Sequence, residues 1–143
     1  MARVKLDLPE TFVFRTEIPL RIRDINYGGH LGNDSVLSFL HETRVQFLRA
    51  NGFSEMDVAG VGIILSDSII VYRSEAFYGE TMVVDLTADD FSRVGCDMLY
   101  RMTDKVTGRE VVRAKTGIVF FDYKDRKAVA VPKAFKMLFG EDE

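Results

Sequence analysis

The sequence predicts an α+β fold, with one antiparallel sheet curled round a single long helix. Three observations predict it. Only one long segment, positions 34–50, repeats its apolar residues at helical spacing. The rest of the chain alternates apolar and polar residues in runs bounded by glycine turns, the period of strands. A lone helix with a strong apolar stripe has no second long helix to pack on, so the sheet must cover it.

The elements follow in order. Phe12, Phe14 and "IPLRIR" at 18–23 alternate as a first strand, and Pro19 places it at an edge or a bulge. A polar, glycine-rich junction comes next. Val36, Leu37, Leu40, Phe47 and Leu48 then recur on one helical face, with Asn33, Asp34 and Ser35 as cap and first-turn charge and Asn51-Gly52 as the stop. "GIILSDSIIVYRSEA" carries apolar residues on both parities and predicts a strand covered on both faces. "YGE" at 78–80 turns into the alternating "TMVVDLTADDF". "RVG" at 93–95 turns into "CDMLYRMTD", and "VTGRE" turns into "VVRAKTGIVFFDY". "PKAFKMLFG" predicts a short terminal helix with Pro132 at its first position. With no internal repeat, linker or low-complexity segment, residues 1–143 read as a single domain. The open sheet edges are expected to pair across a two-fold axis, so the partner is a second copy, in a homodimer or homotetramer.

Composition narrows the function. The net charge of −3 argues against a general nucleic-acid binder, which needs a basic excess to release phosphate counterions. One cysteine, Cys96, excludes an internal disulfide and a cysteine-based metal framework, and reads as a small buried residue in a strand. No run approaches the roughly 18–20 apolar residues of a membrane span. "MARVKLDLPETFVF" lacks an apolar signal core and a cleavage pattern. The expected location is the cytoplasm, with no membrane, metal or cofactor.

The junction, "RDINYGGHLGND", is richer than a turn requires. Gly28, Gly29 and Gly32 let a ligand approach the backbone closely. The loop delivers the chain into a helix N-terminus, where unpaired N–H groups favour an anion or a developing oxyanion. It lacks the Gly-Lys-Ser/Thr of a P-loop. His30 is either a loop histidine bonded to backbone or an acid–base group. His41, beside Leu37, Leu40 and Leu48, is either a satisfied core polar group or a general base. Glu42 reads as a solvated carboxylate, yet the residues three and four further on, Val45 and Gln46, are not basic. Asp24 and Asn26 share a parity at the end of the first strand, where Asp24 braces the loop or faces what it encloses.

"RIRDINYGGHLGNDSVLSFLHETRVQFL", followed by "IVYRSEAFYGE" and "TGIVFFD", resembles the hotdog-fold acyl-CoA thioesterases of the 4-hydroxybenzoyl-CoA thioesterase class over roughly residues 15–132. The family's junction reads approximately D-x-D-x-x-G-H-V-N-N, and Asp24, Gly29, His30, Asn33 and Arg44 fall on matching positions. The resemblance implies a curved antiparallel sheet wrapped around the helix and dimerised into a continuous sheet. It also implies hydrolysis of an acyl-CoA or acyl-carrier thioester, with coenzyme A as part of the substrate rather than a cofactor. Two departures stand out. Asn26 occupies the position of the family's junction carboxylate, and His41, followed by Glu42, occupies that of the helix carboxylate which other members use.

The mechanism these positions imply is water attack without a covalent serine or cysteine, and no G-x-S-x-G elbow is present. The catalytic candidates are Asn26, His41, Glu42 and Asp24, with Asp67 behind them. The substrate-binding candidates are His30, Gly32, Asn33 and Asp34, with the carbonyl resting against N–H groups near Gly32 and Asn33. His41 or Glu42 activates the water, with a shared site allowing it to act from the partner subunit. Two alternatives accompany this reading: a non-catalytic acyl-CoA-binding hotdog protein, and an acyl-thioester dehydratase or hydratase using His30 with Glu42.

Overall fold

The structure is a computed structural model that describes residues 3–141. Strand β1 (Phe14–Pro19) leads through a single 3-10 turn (Ile22–Asp24) and the junction into helix α1 (Asn33–Ala50). Four long strands follow: β2 (Gly62–Tyr72), β3 (Thr81–Asp89), β4 (Gly95–Asp104) and β5 (Glu110–Asp122). A two-residue β6 (Lys127–Ala128) and a short α2 (Lys133–Met137) complete the described chain, with Pro132 as the cap of α2 rather than its first residue. The sheet runs β1-β3-β4-β5-β2 and is antiparallel throughout, with β6 on β5.

Helix α1 lies against one face of this sheet. Val36, Phe39, Leu40, Phe47 and Leu48 are buried together with Met82, Val84 and Leu86 of β3 and Met98 and Met102 of β4. Each strand contributes every second side chain to this inner face, as the pleat requires. Cys96 takes one of these places and is buried, which pushes its thiol up to about 12. The C-terminal end of the helix is closed by aromatic rings. Phe47 stacks 5.5 Å from Phe14 and 5.4 Å from Phe139, and Phe135 of α2 sits 5.0 Å from Phe120.

Three expectations change. The first strand stops at Pro19, because residues 22–24 coil into the 3-10 turn and the Arg21 backbone N–H donates to Asp24 Oδ2 at 2.8 Å. β1 is nevertheless an edge strand, where Pro19 leaves no interior ladder bond unmade. β2 is the other edge strand and is not covered on both faces. A bulge at Ser66 shifts the register between Leu65 and Asp67, so inward positions switch from Ile63 and Leu65 to Ser68, Ile70 and Tyr72. Apolar residues on both parities record that switch. β3, by contrast, is buried on both faces: Val83, Asp85 and Thr87 on its outer side are shielded. The segment before β1 crosses that outer side. The Arg113 guanidinium donates to the Leu6 carbonyl at 3.1 Å, and Arg101 stacks on the Phe12 ring at 5.1 Å.

Candidate active site

The junction is built by its own backbone. The Asn26 N–H donates to the His30 carbonyl (2.9 Å) and Gly29 N–H to the Asn26 carbonyl (3.0 Å), closing a loop in which Gly29 adopts φ 85°. Asn26 Oδ1 accepts the Gly28 N–H at 2.9 Å, an Asx turn that leaves the amide nitrogen free to donate outward. The Leu31 N–H donates to the Ala76 carbonyl at 2.8 Å, which docks the junction onto the segment after β2. Between these two stretches and the first turn of α1 lies a cavity of ≈ 570 Å³, lined among others by Asn26, His30, Asn33, Tyr72, Arg73 and Glu75.

Several candidate residues meet there. His30 Nδ1 faces the Leu31 carbonyl at 3.2 Å, and its Nε2 lies 3.4 Å from Glu75 Oε2. Asn33 begins the helix. Its N–H and that of Asp34 have no intrahelical acceptor, while Ser35 N–H turns back to the Gly32 carbonyl at 3.0 Å. Asp34 stands in the first turn outside the cavity lining. The Tyr72 hydroxyl is raised first by burial and then by the Asp34 charge.

Other candidates are elsewhere. The Gly32 N–H is not available to a carbonyl, because the 3-10 turn brings the Asp24 carbonyl to it at 2.9 Å. The Asp24 carboxylate is buried and engaged by Arg21, which makes it the loop's brace rather than a reacting group. Glu42 accepts from Gln46 Nε2 at 2.6 Å, and Gln46 is bonded in turn to Thr16 of β1. That chain ties α1 to the sheet edge, beside a cavity of ≈ 550 Å³ that Glu42 and His41 line together and Asn26 does not. Asp67 is exposed on the outer face and paired with Lys115 at 2.9 Å.

His41 is eight residues beyond Asn33, about 12 Å along the helix axis at 1.5 Å per residue. It lines a different cavity, ≈ 470 Å³, beside the open edge of β2 with Leu37, Leu65 and Ser68. Its Nε2 lies 2.9 Å from Glu55 Oε1, and Glu55 Oε2 accepts from Arg44 Nε at 2.6 Å. Arg44 also donates to the Tyr100 hydroxyl (3.1 Å), which shares a hydrogen bond with Thr116 (2.8 Å). Burial acts to raise the Glu55 carboxyl, but Arg44 and then His41 overcome it and hold the group below the ordinary carboxylate range. His41 is exposed rather than a core group, which overturns that expectation. The general-base reading keeps a basis, since with Nε2–H donated to Glu55 its Nδ1 lone pair is free.

Sequence reasoning missed Glu55 and Glu75. Glu55 stands in an irregular loop with no periodicity to mark it. Glu75 lies in "YRSEA", whose only signal was a carboxylate just after an apolar strand. Among the described residues, no cluster of three or more His, Cys, Asp or Glu is arranged to hold a metal ion, and no helix is long and apolar enough to cross a membrane.

Comparison with known proteins agrees with the architecture. A 1,4-dihydroxy-2-naphthoyl-CoA thioesterase from Synechocystis superposes with a TM-score of 0.80 over 88% of this chain and 94% of its own, at 20% identity. A thioesterase from Thermus thermophilus, complexed with coenzyme A and Zn, gives 0.78 over 92% and 95%, at 18% identity. An Aquifex aeolicus (strain VF5) protein, provisionally described as an esterase, is 25% identical over 124 residues, covering 85% of this chain and 92% of its own. The helix-wrapping sheet is the hotdog fold, and residues 20–139 match the model of one family, so the chain belongs to the thioesterase-like superfamily.

Proposed function

We propose that this protein hydrolyses an acyl-CoA thioester by direct attack of water. The observation that carries this reading is the convergence of the Asn26 amide, the His30 imidazole and the free first-turn N–H groups of α1 on one cavity. The thioester carbonyl rests against the Asn33 N–H at the start of α1, where the helix dipole favours the negative charge that develops on oxygen. Asn26 donates its amide N–H to the carbonyl or holds the water. The thiolate is a good leaving group, so no covalent enzyme intermediate is required.

Coenzyme A is the thiol carrier this reading favours over acyl carrier protein. Its phosphates meet Arg73, a half-exposed guanidinium at the cavity wall, and the bound coenzyme A of the Thermus thermophilus relative supports the choice. The protein acts as a homodimer in which the unpaired edge of β2 joins its copy, burying the exposed Leu37 and Leu65. His41 and Glu55 then sit on the shared wall beside the acyl group rather than at the water. A cytoplasmic, metal-free enzyme is the corresponding cellular picture.

The second reading, an acyl-CoA-binding protein without chemistry, is favoured by Asn26 at a carboxylate position and by the burial of Asp24. Thiol release from a panel of short, long and aromatic acyl-CoAs separates the two. Turnover above the background rate on any of them, reduced about 10²–10³-fold by Asn26→Ala, supports the hydrolase. Saturable binding with no release across the panel supports the binding protein.

A further inference from the structure

We propose that Glu75 is the general base of this site, supplying from the segment after β2 the carboxylate that the junction lacks at Asn26. This rests on the hydrolase reading above. Among the described residues, Glu75 is the one carboxylate that lines the cavity shared by Asn26, His30 and Asn33. Its backbone is fixed from both sides: Arg109 Nη2 donates to the Glu75 carbonyl at 2.9 Å, and the next residue, Ala76, accepts the Leu31 N–H at 2.8 Å.

The bland alternative is an exposed ion pair between His30 and Glu75, which contributes little to stability. The neighbouring cations argue for more. Arg109 is engaged with Glu80 at 3.0 Å, and Arg73 lies 3.6 Å from Glu110. Neither guanidinium therefore neutralises the Glu75 carboxylate, whose partner among the described residues is the His30 ring at 3.4 Å. A carboxylate oxygen is thus held beside an imidazole, at the wall of a cavity that Asn33 at the start of α1 also lines.

The step balances without a co-reactant. Glu75 takes a proton from water as the water oxygen bonds to the thioester carbon. The carbonyl pair moves onto the oxygen facing the Asn33 N–H. When the tetrahedral centre collapses, the C–S bond breaks with its electron pair on sulfur. The proton held by Glu75 passes to that thiolate, leaving the acid and the free thiol. His30 orients the carboxylate and is a positioning residue in this scheme.

The test is steady-state thiol release by the full chain on whichever acyl-CoA the wild-type protein turns over fastest, comparing wild type, Glu75→Gln and Glu75→Asp. The expected result is a kcat about 10²–10⁴-fold lower for Glu75→Gln, with KM and Tm little changed and part of the rate recovered in Glu75→Asp. A merely structural ion pair predicts no such fall in kcat. Wild-type kcat in Glu75→Gln overturns the Glu75 assignment while leaving the hydrolase reading standing. No release by the wild-type protein on any acyl-CoA removes the hydrolase reading, and the role of Glu75 with it.

Discussion

A guanidinium that is 4% exposed on an apolar helix face has to find its partners inside the protein. Arg44 finds the Glu55 carboxylate and the Tyr100 hydroxyl, and Thr116 completes the chain. Removing the cation leaves the Glu55 carboxylate with only His41 and the buried Tyr100 hydroxyl without its donor. Arg44→Ala is therefore expected to destabilise by about 3–5 kcal/mol, read as the urea midpoint, whereas Tyr100→Phe costs about 1 kcal/mol. Equal midpoints for Arg44→Ala and wild type would falsify this account of the network. The same contacts set a pH dependence. The folded-state Glu55 carboxyl lies below its ordinary value of 4.5, so its contribution is fully present above that pH and is lost as pH falls through the folded value. Between neutral pH and the acid range, Glu55→Gln should show a flatter loss of stability than wild type, measured as Tm against pH.

At the scale of elements, the tightest constraint is where β4 leaves its turn. A Cβ on Gly95 would stand 2.1 Å from the Ile118 carbonyl oxygen, a backbone atom of the paired strand. Gly95→Ala must therefore push β4 off β5, with an expected cost of about 1–3 kcal/mol and faster amide exchange along the Gly95–Asp104 ladder. Unchanged exchange there would count against it. At the junction, Gly29 has nothing within 4 Å of a built Cβ but holds φ 85°. Its requirement is conformational, and it matters because the same loop aims Asn26 and His30. The junction and the segment after β2 are distant in sequence, and the Leu31–Ala76 hydrogen bond makes them one wall.

Among the described residues, the whole molecule presents one long unpaired edge. β2 is eleven residues long and β5 is its only strand partner, the Ile63 N–H alone reaching the Glu55 carbonyl, and Leu65, Leu37 and Tyr72 are exposed beside it. Such an edge is an aggregation hazard unless it is paired. Sedimentation equilibrium is expected to give twice the 16.2 kDa chain mass, and Leu65→Lys to shift the population toward monomer. A monomeric wild type at micromolar concentration would sink the pairing. If the acyl cavity beside His41 is completed by the copy, the Leu65→Lys protein also loses turnover in proportion to its monomer fraction.

The order of elements and the span of α1 to within a residue were legible from the sequence, because apolar periodicity and glycine turns are local signals. The resemblance of the junction and strand motifs to a known family implied the hotdog arrangement. Asn26 and His30 were also legible as candidates that face one cavity, since the junction's glycines and the following helix cap mark a place where backbone donors go unpaired. What lay beyond the sequence was decided by contacts across distance. Asp24 is a brace because a 3-10 turn folds its carboxylate onto Arg21. The Gly32 N–H is taken by the Asp24 carbonyl. β2 is an edge strand whose mixed parity comes from one bulge. Glu75 reaches the cavity only because the chain returns there after a full strand. Local patterning fixes which face of an element is apolar; which polar side chains then share a cavity is settled by packing, which no periodicity encodes.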